Sequence, residues 1–237
     1  MSSLASLPVL VVGGSSGIGE ATAKAFAALG ADVTIASRNE VKLAAAAVRI
    51  GLPVRTAVVD TSDEADVERF FAERGPFRHV VVSAAQTPTG PVRQLALADA
   101  YAAMDSKFWG AYRVARAARI DEGGSLTLIS GFLSVRPSKT SVLQGAINAA
   151  LEALARGLAL ELSPVRVNTV SPGLIATPLW DKLSDEARQG LYDGAAARLP
   201  ARRVGQAEDI ANAVVYLATT PYATGSTVLV DGGGAIA

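Results

Sequence analysis

Seven short aliphatic runs alternate with alanine- and leucine-rich stretches of helical period along the chain, and this alternation restricts the fold more than any other feature. The runs are Val9–Val12, Asp32–Ser37, Val54–Val59, Val80–Ser83, Ser125–Ser130, Val165–Val170 and Thr227–Val230. Helical segments fall at about Ile18–Leu29, Val41–Ile50, Glu64–Glu73, Leu97–Arg119, Ser141–Leu162 and Glu208–Ala218. Continuous Val/Ile/Leu strands separated by helices predict a parallel sheet covered on both faces, because only a strand buried on both sides can be apolar throughout. The expected fold is a Rossmann-like, doubly wound, seven-stranded parallel α/β sheet. At 237 residues, with no internal repeat and no linker, the chain fits one domain, 1–237. The stretch Ser171–Gly205 reads as irregular and, at that length, as a lid or binding segment.

Composition removes several function classes. The 22 basic and 22 acidic residues cancel and are scattered, which leaves no electrostatic footprint for nucleic acid. There is no cysteine and only one histidine, His79, so thiolate and histidine-cluster metal sites are not expected. No apolar run reaches the ~18–20 residues that a bilayer span needs, and the start "MSSLASLPVLVV" lacks the basic segment of a signal peptide. A cytoplasmic protein without a membrane partner is the expectation. Half the residues are hydrophobic and mean hydropathy is +0.30, which hints at apolar surface covered by further copies of the chain.

The segment "VLVVGGSSGIGEATAKAF" sets Gly13, Gly17 and Gly19 between the first strand and the first helix. Glycines allow a sharp turn and a close backbone approach to a pyrophosphate, whose charge then sits at the positive end of a helix. Ser15 and Ser16 add hydroxyl donors, and Ile18 opens the helix. The second strand ends in Ser37-Arg38, with no acid before Glu40. A carboxylate there would bind the ribose 2′-hydroxyl of NAD; a guanidinium suits the 2′-phosphate of NADP. NADP(H) is therefore expected in preference to NAD(H), the alternative being that Arg38 is a solvated loop residue.

"GGSSGIG", "VVDTSD", "GSLTLIS", "VRVNTVSPGLIATPL" and "STVLVDGGG", in this order over nearly the whole chain, resemble the short-chain dehydrogenase/reductase family. The resemblance implies NAD(P)-dependent interconversion of alcohols and carbonyls, a small-molecule substrate, and a homodimer or homotetramer. It also implies that Asp60 binds the adenine amino group and that Ser83 and Ala84 flank the cofactor. Pro172, Gly173, Leu174, Ile175 and Thr177 would hold the nicotinamide carboxamide. Residues 178–205 would form a substrate lid, with Trp180, Leu183 and Leu191 either walling an apolar pocket or simply packing. Val82-Ser83-Ala84-Ala85 stands where the family commonly has Asn-Asn-Ala-Gly, and Val12 where it has threonine.

The family's proton machinery is asparagine, serine, tyrosine and lysine. Placed through the flanking motifs "DSKFWGAY", "LTLISGF" and "QGAINAALEALAR", those positions hold Lys107, Gly131, Gln144 and Asn148. Gly131 and Gln144 keep the family's thirteen-residue interval, and no tyrosine lies between Tyr112 and Tyr192. Asparagine and lysine have in effect traded places. Two placements of Lys107 are open: into the pocket, where desolvation makes it a proton donor, or out into solvent. Gln144 can hold a carbonyl oxygen without protonating it. Ser134, Ser141, Lys139, Tyr101 and Tyr112 are further donors in surface or packing roles. Three functions remain: an oxidoreductase with a non-standard proton donor, a catalytically silent NADP(H)-binding sensor or interaction protein, and non-redox chemistry in the same pocket. Alanines 149, 153 and 155 suit close helix approach, either within the chain or between subunits.

Overall fold

A computed structural model describes residues 4–237. The chain runs β1 (Pro8–Val12), α1 (Gly17–Ala28), β2 (Asp32–Ser37), α2 (Glu40–Ile50), β3 (Val54–Val58), α3 (Glu64–Glu73) and β4 (Phe77–Val82). It continues through α4 (Leu97–Met104), a π-helical turn (Asp105–Trp109), α5 (Gly110–Ala117), β5 (Ile120–Ile129), α6 (Val142–Glu161) and β6 (Arg166–Pro172). A short strand β7 (Ile175–Ala176), α7 (Asp185–Arg198), β8 (Gly205–Gln206), α8 (Ala207–Thr219) and β9 (Thr227–Val230) complete it. The expected sheet is present: seven parallel strands in the order β3-β2-β1-β4-β5-β6-β9.

The period-2 alternation of side chains divides the core between the two sheet faces. Leu10, Val12, Val80, Val82, Leu126 and Leu128 pack with α3, α5 and α6 on one face. Val9, Val11, Val33, Ile35 and Val81 pack with α1, α2 and α8 on the other. Strand order reverses between β1 and β4. The βα loops diverge there, which opens a crevice at the carboxyl ends of the strands.

Three expectations about elements change. Residues 171–205 are not irregular: β6 runs to Pro172, β7 pairs with β8, and α7 fills fourteen residues. Ser184 caps α7 by accepting from the Ala187 N–H, and Asp185 and Glu186 supply negative charge to its first turn. Gly190 and Gly194 and a single buried residue, Ala195, hide its helical period. The helix expected over 97–119 is broken by the π turn and ends at Ala117. Strand β5 begins five residues earlier than its apolar run, because its first half pairs little and stays exposed.

His79 on β4 is 3% exposed, with Nδ1 2.8 Å from Ser125 Oγ and the ring stacked on Phe26. Burial, then the Arg166 and Arg78 guanidiniums, lowers its pKa from 6.5 to about 4. The folded state thus binds the proton less tightly than the unfolded state. The neutral ring's stabilisation is full above the unfolded pKa and lost as pH falls from about 6.5 towards 4, a loss of about 3 kcal/mol. Urea unfolding at pH 7 and pH 4.5 should show most of this loss, about 2 kcal/mol, and His79→Gln should flatten it.

Candidate active site

The crevice measures about 780 Å³ and draws on the ends of β1, β2, β4, β5 and β6 and on the loops that follow. At its phosphate end, Gly13 has φ +87°, and a Cβ there would lie 2.5 Å from the Ala84 backbone nitrogen. Only glycine lets the β1 and β4 turns close to this distance. The Ser83 N–H donates to Val12 O at 2.8 Å, so the backbone ties these strand ends. Ser16 is the N-cap of α1 and makes no capping bond, which leaves the first-turn N–H groups open to an anion. Gly19 does not line the crevice: its Cβ would lie 2.1 Å from Gly13 O, so its role is close helix–strand packing rather than ligand contact.

Arg38 lines the crevice beside Ser15, Ser16, Asn39 and Lys42. Among the described residues none hydrogen-bonds its exposed guanidinium. Lys42 was not anticipated, although its position four residues beyond Arg38, in the first turn of α2, was a readable signal. Asp60 Oδ1 accepts from the Ser62 N–H and hydroxyl at 2.9 and 2.7 Å. Burial raises the Asp60 pKa; the Ser62 bonds and the Arg38 and Arg113 charges outweigh that and hold it below the ordinary carboxylate value. Pro172, Gly173, Leu174, Ile175 and Thr177 also line the crevice, as do Ile18, Ser83 and Ala84. The segment 178–205 contributes Leu179, Trp180 and Lys182, with Trp180 Nε1 donating to Ile175 O at 2.9 Å. Leu183 and Leu191 do not line the crevice; from this segment the apolar lining is Leu179 and Trp180, in the 3₁₀ turn Pro178–Trp180.

Lys107, Gly131, Gln144 and Asn148 meet at the floor. Lys107 sits in the π turn, whose i→i+5 bonding re-aims one side chain of a helix. It is 8% exposed and does not point into solvent. Nζ donates to Asn148 Oδ1 at 2.6 Å and to Ser130 O at 2.8 Å. An ammonium has no acceptor, so only Oδ1 of the amide can face it and Nδ2 is turned the other way. A Cβ on Gly131 would lie 2.7 Å from that Nδ2. A side chain at residue 131 would therefore crowd the amide that holds Lys107. Burial lowers the Lys107 pKa from 10.5 to about 8, with the Glu152 charge acting in the opposite sense. None of the five tyrosines lines the crevice. Tyr101 and Tyr112 lie exposed on α4 and α5, and Lys139 is also exposed. Ser141 reaches the crevice, whereas Ser134 turns away to Glu152.

Residues 12–234 match the family model described as "Enoyl-(Acyl carrier protein) reductase". Glucose 1-dehydrogenase of Gluconobacter oxydans is 34% identical over 95% of this chain and 90% of its own. The chain belongs to the short-chain dehydrogenase/reductase family. A small-chain dehydrogenase crystallised with NADPH superposes with a TM-score of 0.86 at 34% identity, over 98% of this chain and all of the other. The glucose/ribitol dehydrogenase of Brucella melitensis, also of this family, gives a TM-score of 0.90 at 28% identity, over 98% of each chain.

Adding a side chain at residue 131 should cost stability. Gly131→Ala is expected to lose about 1–3 kcal/mol, the range for overpacking a filled site. Most of that loss should vanish in an Asn148→Ala background, because the clash is with Nδ2. A double-mutant cycle by denaturant unfolding measures the coupling.

Proposed function

We propose that the chain is an NADP(H)-dependent oxidoreductase that interconverts a small carbonyl compound and its alcohol, with Lys107 in place of the family's phenol as proton donor. The observation that carries the reading is the buried ammonium at the crevice floor, held by Asn148 Oδ1 and Ser130 O. The crevice suits a dinucleotide: α1 offers an uncapped N-terminus, Arg38 an unengaged guanidinium, and Gly13 a backbone surface that a Cβ would obstruct. The NADPH-bound relative of the same fold supports the choice of nucleotide. When bound, such a cofactor supplies or accepts hydride.

The protein's part is the proton and the geometry. Two of the three Lys107 N–H groups are engaged, which leaves one for the substrate oxygen. In reduction, Lys107 gives that proton to the developing alkoxide; in oxidation, the neutral amine takes it back. A pKa of about 8 suits both directions near neutral pH. Gln144 orients the substrate oxygen through its amide N–H groups. Residues 178–205 act as the lid, and Leu179 and Trp180 help exclude water, which strengthens each of these interactions. Subunits associate through the exposed faces of α4–α5 and α6, where Trp109, Tyr112, Ala149, Ala153 and Leu160 lie uncovered, while Leu151, Ala155 and Leu158 of α6 face the chain's own core.

A screen of NADPH consumption over diverse carbonyls, paired with calorimetric titration of NADPH and NADH, tests the reading. Tight NADPH binding without consumption would favour a cofactor-sensing protein instead. Arg38→Ala should weaken NADPH binding roughly 10–100-fold and leave NADH unchanged, which is the scale of a lost charge-assisted hydrogen bond. Lys107→Met should lower turnover roughly 10²–10⁴-fold while NADPH affinity stays within a few-fold.

A further inference from the structure

Glu152 is a buried acid that neither the cofactor site nor the proton step uses. It lies on α6 four residues after Asn148, on the same helix face, and is 8% exposed. Its Oε1 accepts from the Ser130 hydroxyl at 2.9 Å and the Ser134 hydroxyl at 2.7 Å. Both donors are neutral, and among the described residues no cation forms an ion pair with it. An anion taken out of water with only neutral partners is costly unless an opposite charge lies close by. That charge is one residue away. Ser130 gives its hydroxyl to Glu152 and its carbonyl to the Lys107 ammonium, so a single residue links the two buried ions.

We infer that Glu152 is a positioning residue whose carboxylate, acting across Ser130, keeps Lys107 protonated and seated at the crevice floor. The inference builds on the role proposed for Lys107 but concerns the lysine's charge, which can be read without turnover. The other groups around Lys107 do not fill this role. Asp105, in the same π turn, is bound by Arg113 at 2.7 Å. The end of β4 presents Ser83, and the end of β5 presents Ser130. Arg38, Lys42, Asp60 and Lys182 line the crevice elsewhere, and of all these charges only that of Glu152 registers on Lys107. Burial alone works against the ammonium; the carboxylate partly offsets it.

The test is an NMR pH titration of lysine labelled at the ε-carbon, which resolves Lys107 from the other four lysines by its loss in Lys107→Met. In Glu152→Gln the amide oxygen still accepts from both serines and only the charge is lost. The Lys107 midpoint should then fall by roughly one pH unit, the lower end of the effect of a close opposite charge. Ser134→Ala, which removes a hydrogen bond but no charge, should leave the midpoint unmoved. An unchanged midpoint in Glu152→Gln, or equal shifts in both variants, overturns the inference and reduces Glu152 to a packing residue. Should Glu152→Gln fail to fold, Glu152→Met, which removes the charge with a side chain of similar length, decides in its place: a fall in the Lys107 midpoint that Ser134→Ala does not share supports the inference, and a midpoint at the wild-type value overturns it. Neither result depends on NADPH binding, so the proposal for Glu152 can fail while that for the cofactor stands.

Discussion

Burying one ammonium at the bottom of a crevice sets most of the local structure around it. Lys107 needs acceptors, and the π turn delivers it to two of them, Asn148 Oδ1 and Ser130 O. Asn148 must then present its oxygen, which turns Nδ2 towards residue 131 and leaves space there only for glycine. Lys107, Gly131 and Asn148 are therefore one coupled arrangement. Asn148 thus satisfies the buried ammonium while Lys107 fixes the orientation of the Asn148 amide. Substituting any one of these three alone strands a polar group or forces a clash.

The rest of the fold supports this floor. The parallel sheet buries both faces, and the reversal of strand order between β1 and β4 places the crevice beside the Gly13 turn. Helix α6 spans the site from one side: its inner residues Leu151, Ala155 and Leu158 anchor it to the core while Gln144 and Asn148 reach the floor. The same helix thus fixes the substrate side of the site and carries the acid that sits behind Lys107.

Much of this was legible in the sequence, for identifiable reasons. The inner strands could be read because strands buried on both faces are apolar throughout; the edge strands β3 and β9 are partly exposed and show only as short β-branched runs. The phosphate loop could be read because its steric demands admit only glycine at Gly13. Other features left no such trace. A π turn differs from an α-helix by one hydrogen-bond step and has no composition of its own, so whether Lys107 faced inward was open until the turn was seen. Helix α7 buries one residue and lacks an apolar stripe. Leu179, in a 3₁₀ turn, lines the pocket, and Leu183 and Leu191 do not. Glu152 had a signal, its spacing of four from Asn148, but a glutamate on a long helix is ordinarily solvated and only its burial sets it apart.

The account stands or falls on Lys107 as the group that moves the proton. The direct measurement is the pH dependence of single-turnover NADPH oxidation with a carbonyl substrate. Because reduction needs the ammonium, the rate should be constant at low pH and fall as pH rises through about 8, and the limb should be absent from the residual rate of Lys107→Met. A wild-type profile that is flat across this range, or a limb that survives in Lys107→Met, would show that the proton comes from elsewhere.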